Sequence, residues 1–289
     1  MFIDFRRPAD KGSILFKNSS TREGGDTQLS LDITKVDQSI LSGSQLSSVI
    51  CQVRFDAAEL ASQTPAIREL RTRLGGHDAF RLEQFQENAF TFAMGPNIAP
   101  AAQSGPSTRG WRLHSKDGKR VIAVLPNAVT LEVFDYAGWD DYVTTFQAVV
   151  SAVSEVIAPV FEQRIGLRYV NQLTVPEDVR EPGGWIGFID PAVLSLATHP
   201  EIGPLVRLTR HQTVLELDAD VRCNISDGFA PDDDRGGALT YVLDFDVFRE
   251  GVRDFDPDEI CSTVSAFNLV ALRLFQLATT DELRQLLAS

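Results

Sequence analysis

The chain has 289 residues, 43% of them apolar, enough to fill a sizeable core, and a formal charge of −13. That acidity argues against binding a phosphate backbone, which is gripped through Lys and Arg, and favours a basic partner. Three widely spaced cysteines, Cys51, Cys223 and Cys261, with no C-x-x-C pair, suggest buried free thiols rather than a disulfide framework or a zinc site.

Residues 1–46 are polar and rich in Gly and Ser, and read as an N-terminal arm with one short alternating piece, "TQLSLDITKV". Phe2, Ile3, Phe5, Ile14, Leu15 and Phe16 in this arm need a surface to cover them, so the arm is a candidate for homo-oligomer formation or partner binding. The body, 47–289, opens on "SSVICQVRFD", whose alternation sets Val49, Cys51, Val53 and Phe55 on one face of a strand and Gln52 with Arg54 on the other. "TPAIRELRTRL" reads as a short amphipathic helix with Thr64 as N-cap and Pro65 at the first helical position.

A strand over 82–94 is followed by "GPNIAPAAQSGPSTRG", a long loop by composition. Asp117 and Gly118 supply the turn of a hairpin, and "AVTLEVFD" adds a strand. From residue 139 the period changes to that of a helix. Tyr142, Phe146, Val149, Val150, Val153, Ile157, Val160 and Phe161 form one stripe, predicting a single buried-faced helix over 139–161.

The second half repeats that order. A strand over 165–175 leads to "DPAVLSLAT", with Asp190 as N-cap and Pro191 opening a short helix. Two strands lie within "PLVRLTRHQTVLELDADVRCNIS"; the acidic loop "DGFAPDDDRGG" separates them from "ALTYVLDFDVF", and a long helix starts near Pro257. The expected fold class is α+β: an antiparallel sheet with two long helices on one face, built from pseudo-repeats 47–163 and 164–289 of a strand, helix, meander, helix unit.

The strand "RIGLRYVNQL" poses the functional question, because Arg168, Asn171 and Gln172 interrupt an apolar run. Arg168 and Gln172 fall on the face opposite Ile165, Leu167, Tyr169 and Leu173, while Asn171 falls among the apolar residues and needs a buried partner there. Arg54, Arg210, Asp244 and Asp246 fall on the corresponding polar face of their own strands. Cross-strand Arg–Asp pairs would account for that face, at about 0.2–1 kcal/mol each. Alternatively, Arg54, Arg168, Gln172, Arg210, Asp244 and Asp246 form a surface for an anionic or amide-bearing ligand.

The segments "SSVICQVRF", "RVIAVLPNAVTLEVFDYAGWDDY", "RIGLRYVNQL" and "LDFDVF…LFQLATTDELRQLL" resemble a sporadically distributed bacterial family of uncharacterised proteins of similar length. The likeness runs from about residue 47 to the C-terminus, and R-I-G-L-R-Y-V-N, 164–171, is its most specific piece. The resemblance implies no established activity; patchy distribution implies mobile gene cargo, such as an antiphage defence or toxin-neutralising module. The arm lies outside it, and Asn268 stands where many relatives carry a His, which weakens any catalytic role at that position.

No Walker loop, dinucleotide fingerprint, nucleophile elbow or HExxH is present, and His77, His114, His199 and His211 are scattered. "DGFAPDDDRGG" lacks the ligand spacing of a calcium loop. The expectation is therefore a non-catalytic interaction protein with a basic protein partner and no cofactor or metal. The second reading is a small anionic-ligand binder or unorthodox enzyme using the polar sheet face. No run of about 20 apolar residues is seen, so the expected setting is cytoplasmic, without membrane contact.

Overall fold

The structure, a computed structural model, describes residues 31–37, 45–92, 102–175, 179, 181–232 and 237–288, and side chains throughout these except at 87–92 and 102–108. The elements below belong to one compact unit beginning at Leu31. The strands are β1 (Leu46–Phe55), β2 (Phe80–Phe92), β3 (Ala102–Ser115), β4 (Arg120–Leu125), β5 (Ala128–Val133), β6 (Phe161–Leu173), β7 (His211–Glu216), β8 (Val221–Asp232) and β9 (Ala238–Asp254). They form one antiparallel sheet in the order β2-β3-β4-β5-β1-β6-β9-β8-β7. The helices are α1 (Thr64–Arg73), α2 (Gly76–Ala79), α3 (Trp139–Val156), α4 (Pro191–Leu194), α5 (Pro257–Ala278) and α6 (Asp281–Ala288). The α+β class expected from the sequence is what the chain adopts.

Alternation sets the two sides of the sheet. Val49, Cys51, Val53 and Phe55 of β1, Ile165, Leu167 and Tyr169 of β6, and Leu243, Phe245 and Val247 of β9 are all buried in one core. Phe146, Val149, Val150 and Val153 of α3 and Val264, Phe267, Val270 and Ala271 of α5 enter the same core. Each fully buried side chain of this size contributes about 1.5–3 kcal/mol relative to an exposed one. At the β6–β9 bulge, Glu162 and Arg249 bury an ion pair at 2.7 Å.

Several expectations need correction. The helix expected over 139–161 ends at Val156, because Ala158 takes φ 52° and Pro159 cannot continue the ladder. Val160 and Phe161, counted in the buried stripe, are therefore exposed. Gln63, not Thr64, is the N-cap of α1. Part of the Pro/Gly/Ser stretch is strand: β3 starts at Ala102 and pairs with β2, while residues 93–101 lie outside the description. The acidic stretch from residue 227 likewise begins inside β8, where Asp227–Asp232 pair with Ala238–Leu243. Asp190 does cap α4, accepting from Ala192 N at 2.8 Å, and Asp256 caps α5.

Much of the N-terminal arm, 1–30 and 38–44, lies outside the described residues. Within 31–37, Ile33–Lys35 form a 3-10 turn rather than a strand, capped by the Asp32 carboxylate. Leu31 and Ile33 pack on the core, and Gln276 of α5 donates to the Asp37 carbonyl at 2.7 Å. By length and composition α5 is apolar enough to cross a membrane, contrary to the expectation of no such segment; 56% of its most apolar window is buried inside the protein.

Candidate functional site

The motif at 164–171 serves two faces at once. On the core face, the Tyr169 hydroxyl donates to Asn268 Oδ1 of α5 at 2.7 Å, and Asn171 Nδ2 donates to the Leu243 carbonyl of β9 at 2.8 Å. The buried amide that looked out of place on an apolar strand face thus ties β6 to its neighbour. Asn268, 6% exposed, is the acceptor for a buried phenol rather than a surface group.

On the opposite face, Arg168 grips Asp244 with two parallel bonds, Nε to Oδ1 at 2.9 Å and Nη2 to Oδ2 at 2.6 Å. Arg164 donates to Asp246 Oδ2 at 2.9 Å, with its guanidinium 4.6 Å above the Phe248 ring. The register puts Arg168 directly across from Asp246 and Val170 across from Asp244, so each arginine leans along β6 to reach its carboxylate. Gly166 makes the first lean possible, since a Cβ there would lie 2.5 Å from Arg164 Nη1.

Beside this ladder is a cleft of about 350 Å³, lined by Arg168, Gln212, Val214, Asn224, Ser226, Asp244 and Asp246, among others. Gln212 and Asn224 are exposed and Ser226 is partly buried, so these side chains line the cleft from the solvent side. Burial raises the Asp246 carboxyl above its ordinary range, against the opposing pull of Arg164. Asp244 holds the Arg168 guanidinium more firmly protonated still. Farther along the same face, across β1, burial also raises Glu132 of β5.

The expected site residues do not all converge. Arg168, Asp244 and Asp246 come together at the cleft. Arg54 sits on β1, donating to Gln52 at 3.0 Å, and its register partner is another cation, Arg164. Gln172 is exposed opposite Val242, outside the cleft. Arg210 lines a separate depression of about 120 Å³ beside Gly228 and Val242. With both arginines of the ladder already bound to carboxylates, the cleft offers amides, a hydroxyl and acidic oxygens more than a free cationic fork.

Arg164 and the β8 side of the cleft were missed in the sequence. The alternation of "VRCNIS" carries the signal for the latter, since Arg222, Asn224 and Ser226 share one face. A second polar cluster sits on the other side of the sheet edge, where Asp227 accepts from Tyr241 at 2.5 Å and pairs with His211 Nδ1 at 3.0 Å. Burial and the neighbouring Asp227 push the Tyr241 phenol far up. The acidity of its surroundings hid Asp227, which is buried in β8 rather than solvated in a loop. Comparison with family models, with curated proteins and with solved structures finds no match to this chain.

Proposed function

We propose that this is a non-catalytic interaction protein that presents the β6-β9-β8-β7 side of its sheet to a basic segment of a protein partner, in a cytoplasmic defence or toxin-neutralising setting of the kind the sequence resemblance implies. The observation that carries this reading is the polar cleft lined by Gln212, Asn224, Ser226, Asp244 and Asp246, in which each carboxylate is shared with one arginine of the ladder and the amides and hydroxyl face solvent. The net charge of −13 adds long-range attraction for a basic partner. An anionic small ligand is less well served, because Asp244 and Asp246 already occupy Arg168 and Arg164.

The architecture behind this reading is a duplicated unit with its two long helices on one sheet face. Its support is the strand order, in which β5-β4-β3-β2 leads outward from β1 and β9-β8-β7 leads outward from β6. Each half then runs strand, helical segment, meander, long helix, and leaves its other face for recognition.

The test is co-expression with the products of flanking genes, followed by calorimetry on any stable pair. Asn224→Arg and Ser226→Arg, at strand positions outside the core, should weaken a basic partner by about tenfold or more, and added salt should weaken the wild-type pair. Absence of a partner, or binding indifferent to both substitutions and to salt, would overturn the proposal.

A further inference from the structure

β7 ends the sheet, so one of its edges has no strand beside it among the described residues. The ladder to β8 determines which groups that leaves. Thr209 N–H bonds the Phe229 carbonyl at 3.0 Å and Leu217 N–H bonds the Val221 carbonyl at 2.9 Å, and the register between them pairs His211 with Asp227 and Leu215 with Cys223. In an antiparallel ladder, alternate residues bond to one neighbour and those between them point N–H and C=O the other way. The odd positions from 209 to 217 are therefore spent on β8, while Arg210, Gln212, Val214 and Glu216 present their backbone groups to the open edge.

The two edges of the sheet are not alike. β2, at the far end, carries Arg81 and Glu83 in an exposed ion pair at 3.1 Å, and charges of this kind discourage strand addition. β7, "HQTVLE", has one carboxylate and no Lys, Arg or Pro, and it leaves Val214 64% exposed. The charges on this edge are complementary under inversion. Arg210 and Glu216 stand symmetrically about Thr213, both exposed, and neither is in an ion pair among the described residues.

We propose that a second copy of this chain pairs its β7 with this one across a two-fold axis at Thr213, so that one antiparallel sheet runs through both copies. Arg210 then stands opposite the partner subunit's Glu216, and Gln212 opposite the partner subunit's Val214. Each of these pairs joins residues whose backbone groups already point outward, as the ladder requires. Gln212 and Val214 also line the Asp244–Asp246 cleft, so the axis sets the clefts of the two copies side by side on one face of the joined sheet, whatever they bind. The net charge of −13 repels a second copy at long range, which places the expected affinity in the micromolar range rather than tighter.

Sedimentation velocity of the full chain up to about 100 μM tests this and should show a monomer–dimer equilibrium. Val214→Pro removes an outward N–H, leaves the β8 ladder intact, and should weaken the dimer by about tenfold or more; Val214→Lys serves if the proline variant does not fold. Arg210→Glu and Glu216→Arg should each weaken self-association by about fivefold or more, because each sets like charges opposite one another across the axis. An equimolar mixture of those two variants should dimerise at least as tightly as wild type, since one edge is then acidic and the other basic. A monomer throughout this range, a dimer unchanged in the Val214 variants, or a mixture no tighter than the separate variants would each overturn the proposal; the second result would move self-association to another surface, such as the N-terminal arm.

Discussion

Arg164 lies folded along its own strand over Gly166, so closely that a methyl group on the glycine would occupy the space of the guanidinium, 2.5 Å from Nη1. The missing side chain is what allows Arg164 to reach Asp246. Gly166→Ala should therefore displace Arg164 and lower stability by about 1–3 kcal/mol, because the half-buried carboxylate loses a charged partner. In an Arg164→Ala background the same substitution should become neutral or stabilising by about 0.4–1 kcal/mol, through the reduced freedom of the unfolded chain. Urea unfolding of the four chains gives the cycle, and an equal cost in both backgrounds would refute the coupling.

The buried bond from Tyr169 to Asn268 makes a second prediction. Tyr169→Phe leaves Asn268 Oδ1 without its donor inside the core and should cost about 1–3 kcal/mol. Adding Asn268→Leu removes the stranded acceptor, so the double variant should recover part of that loss. A double variant less stable than Tyr169→Phe alone would count against this pairing.

The end of α3 is tested by two substitutions of one chemistry. Val153 is fully buried and Val160 is 59% exposed, although both belong to the same helical stripe in the sequence. Val153→Lys should abolish folding or cost more than about 4 kcal/mol, whereas Val160→Lys should stay within about 0.5 kcal/mol. Comparable melting temperatures for the two variants would show that the helix does not end where Pro159 stops it.

The pH dependence separates two kinds of carboxylate. Burial raises Asp246, Glu132 and Glu162, so their contribution to stability is full below the unfolded value, about 4, and is lost as pH rises through the folded one. Asp117 has the opposite sign: the Ser115 hydroxyl lowers it, so its contribution is present above the unfolded value and is lost as pH falls. Above about pH 4 the stability of Asp246→Asn relative to wild type should rise with pH, while that of Asp117→Asn should fall with rising pH below about 4 and level off above it. Denaturant titrations at several pH values measure both slopes, and parallel slopes would contradict the assignment.

How far the sequence could be read depended on the range of the signal. Period-two alternation revealed the faces of β1, β6 and β9, and the three-four spacing found α3, because burial imposes both patterns locally, while α5 was read from its start near Pro257. The polarity of 95–110 and 227–237 suggested loops, but long strand pairings absorbed part of each. In the candidate site, Arg168 and Asp244 were legible as same-face residues. Arg164 was not, since its reach depends on an absent side chain at Gly166, and the contribution of β7 and β8 depends on strand order.

The middle of the sheet has a kinetic consequence. β1 pairs with β6 through contacts such as Val49 with Tyr169 and Val53 with Ile165, joining parts of the chain more than a hundred residues apart. As the ribosome releases the chain, β1 can zip onto β5 while its other edge stays open until β6 emerges. That interval leaves a backbone edge flanked by Cys51, Val53 and Phe55 ready to pair with another nascent chain. Closure of this long-range seam belongs to the slow class of folding steps, so the open edge of β1 is where off-pathway strand pairing is expected.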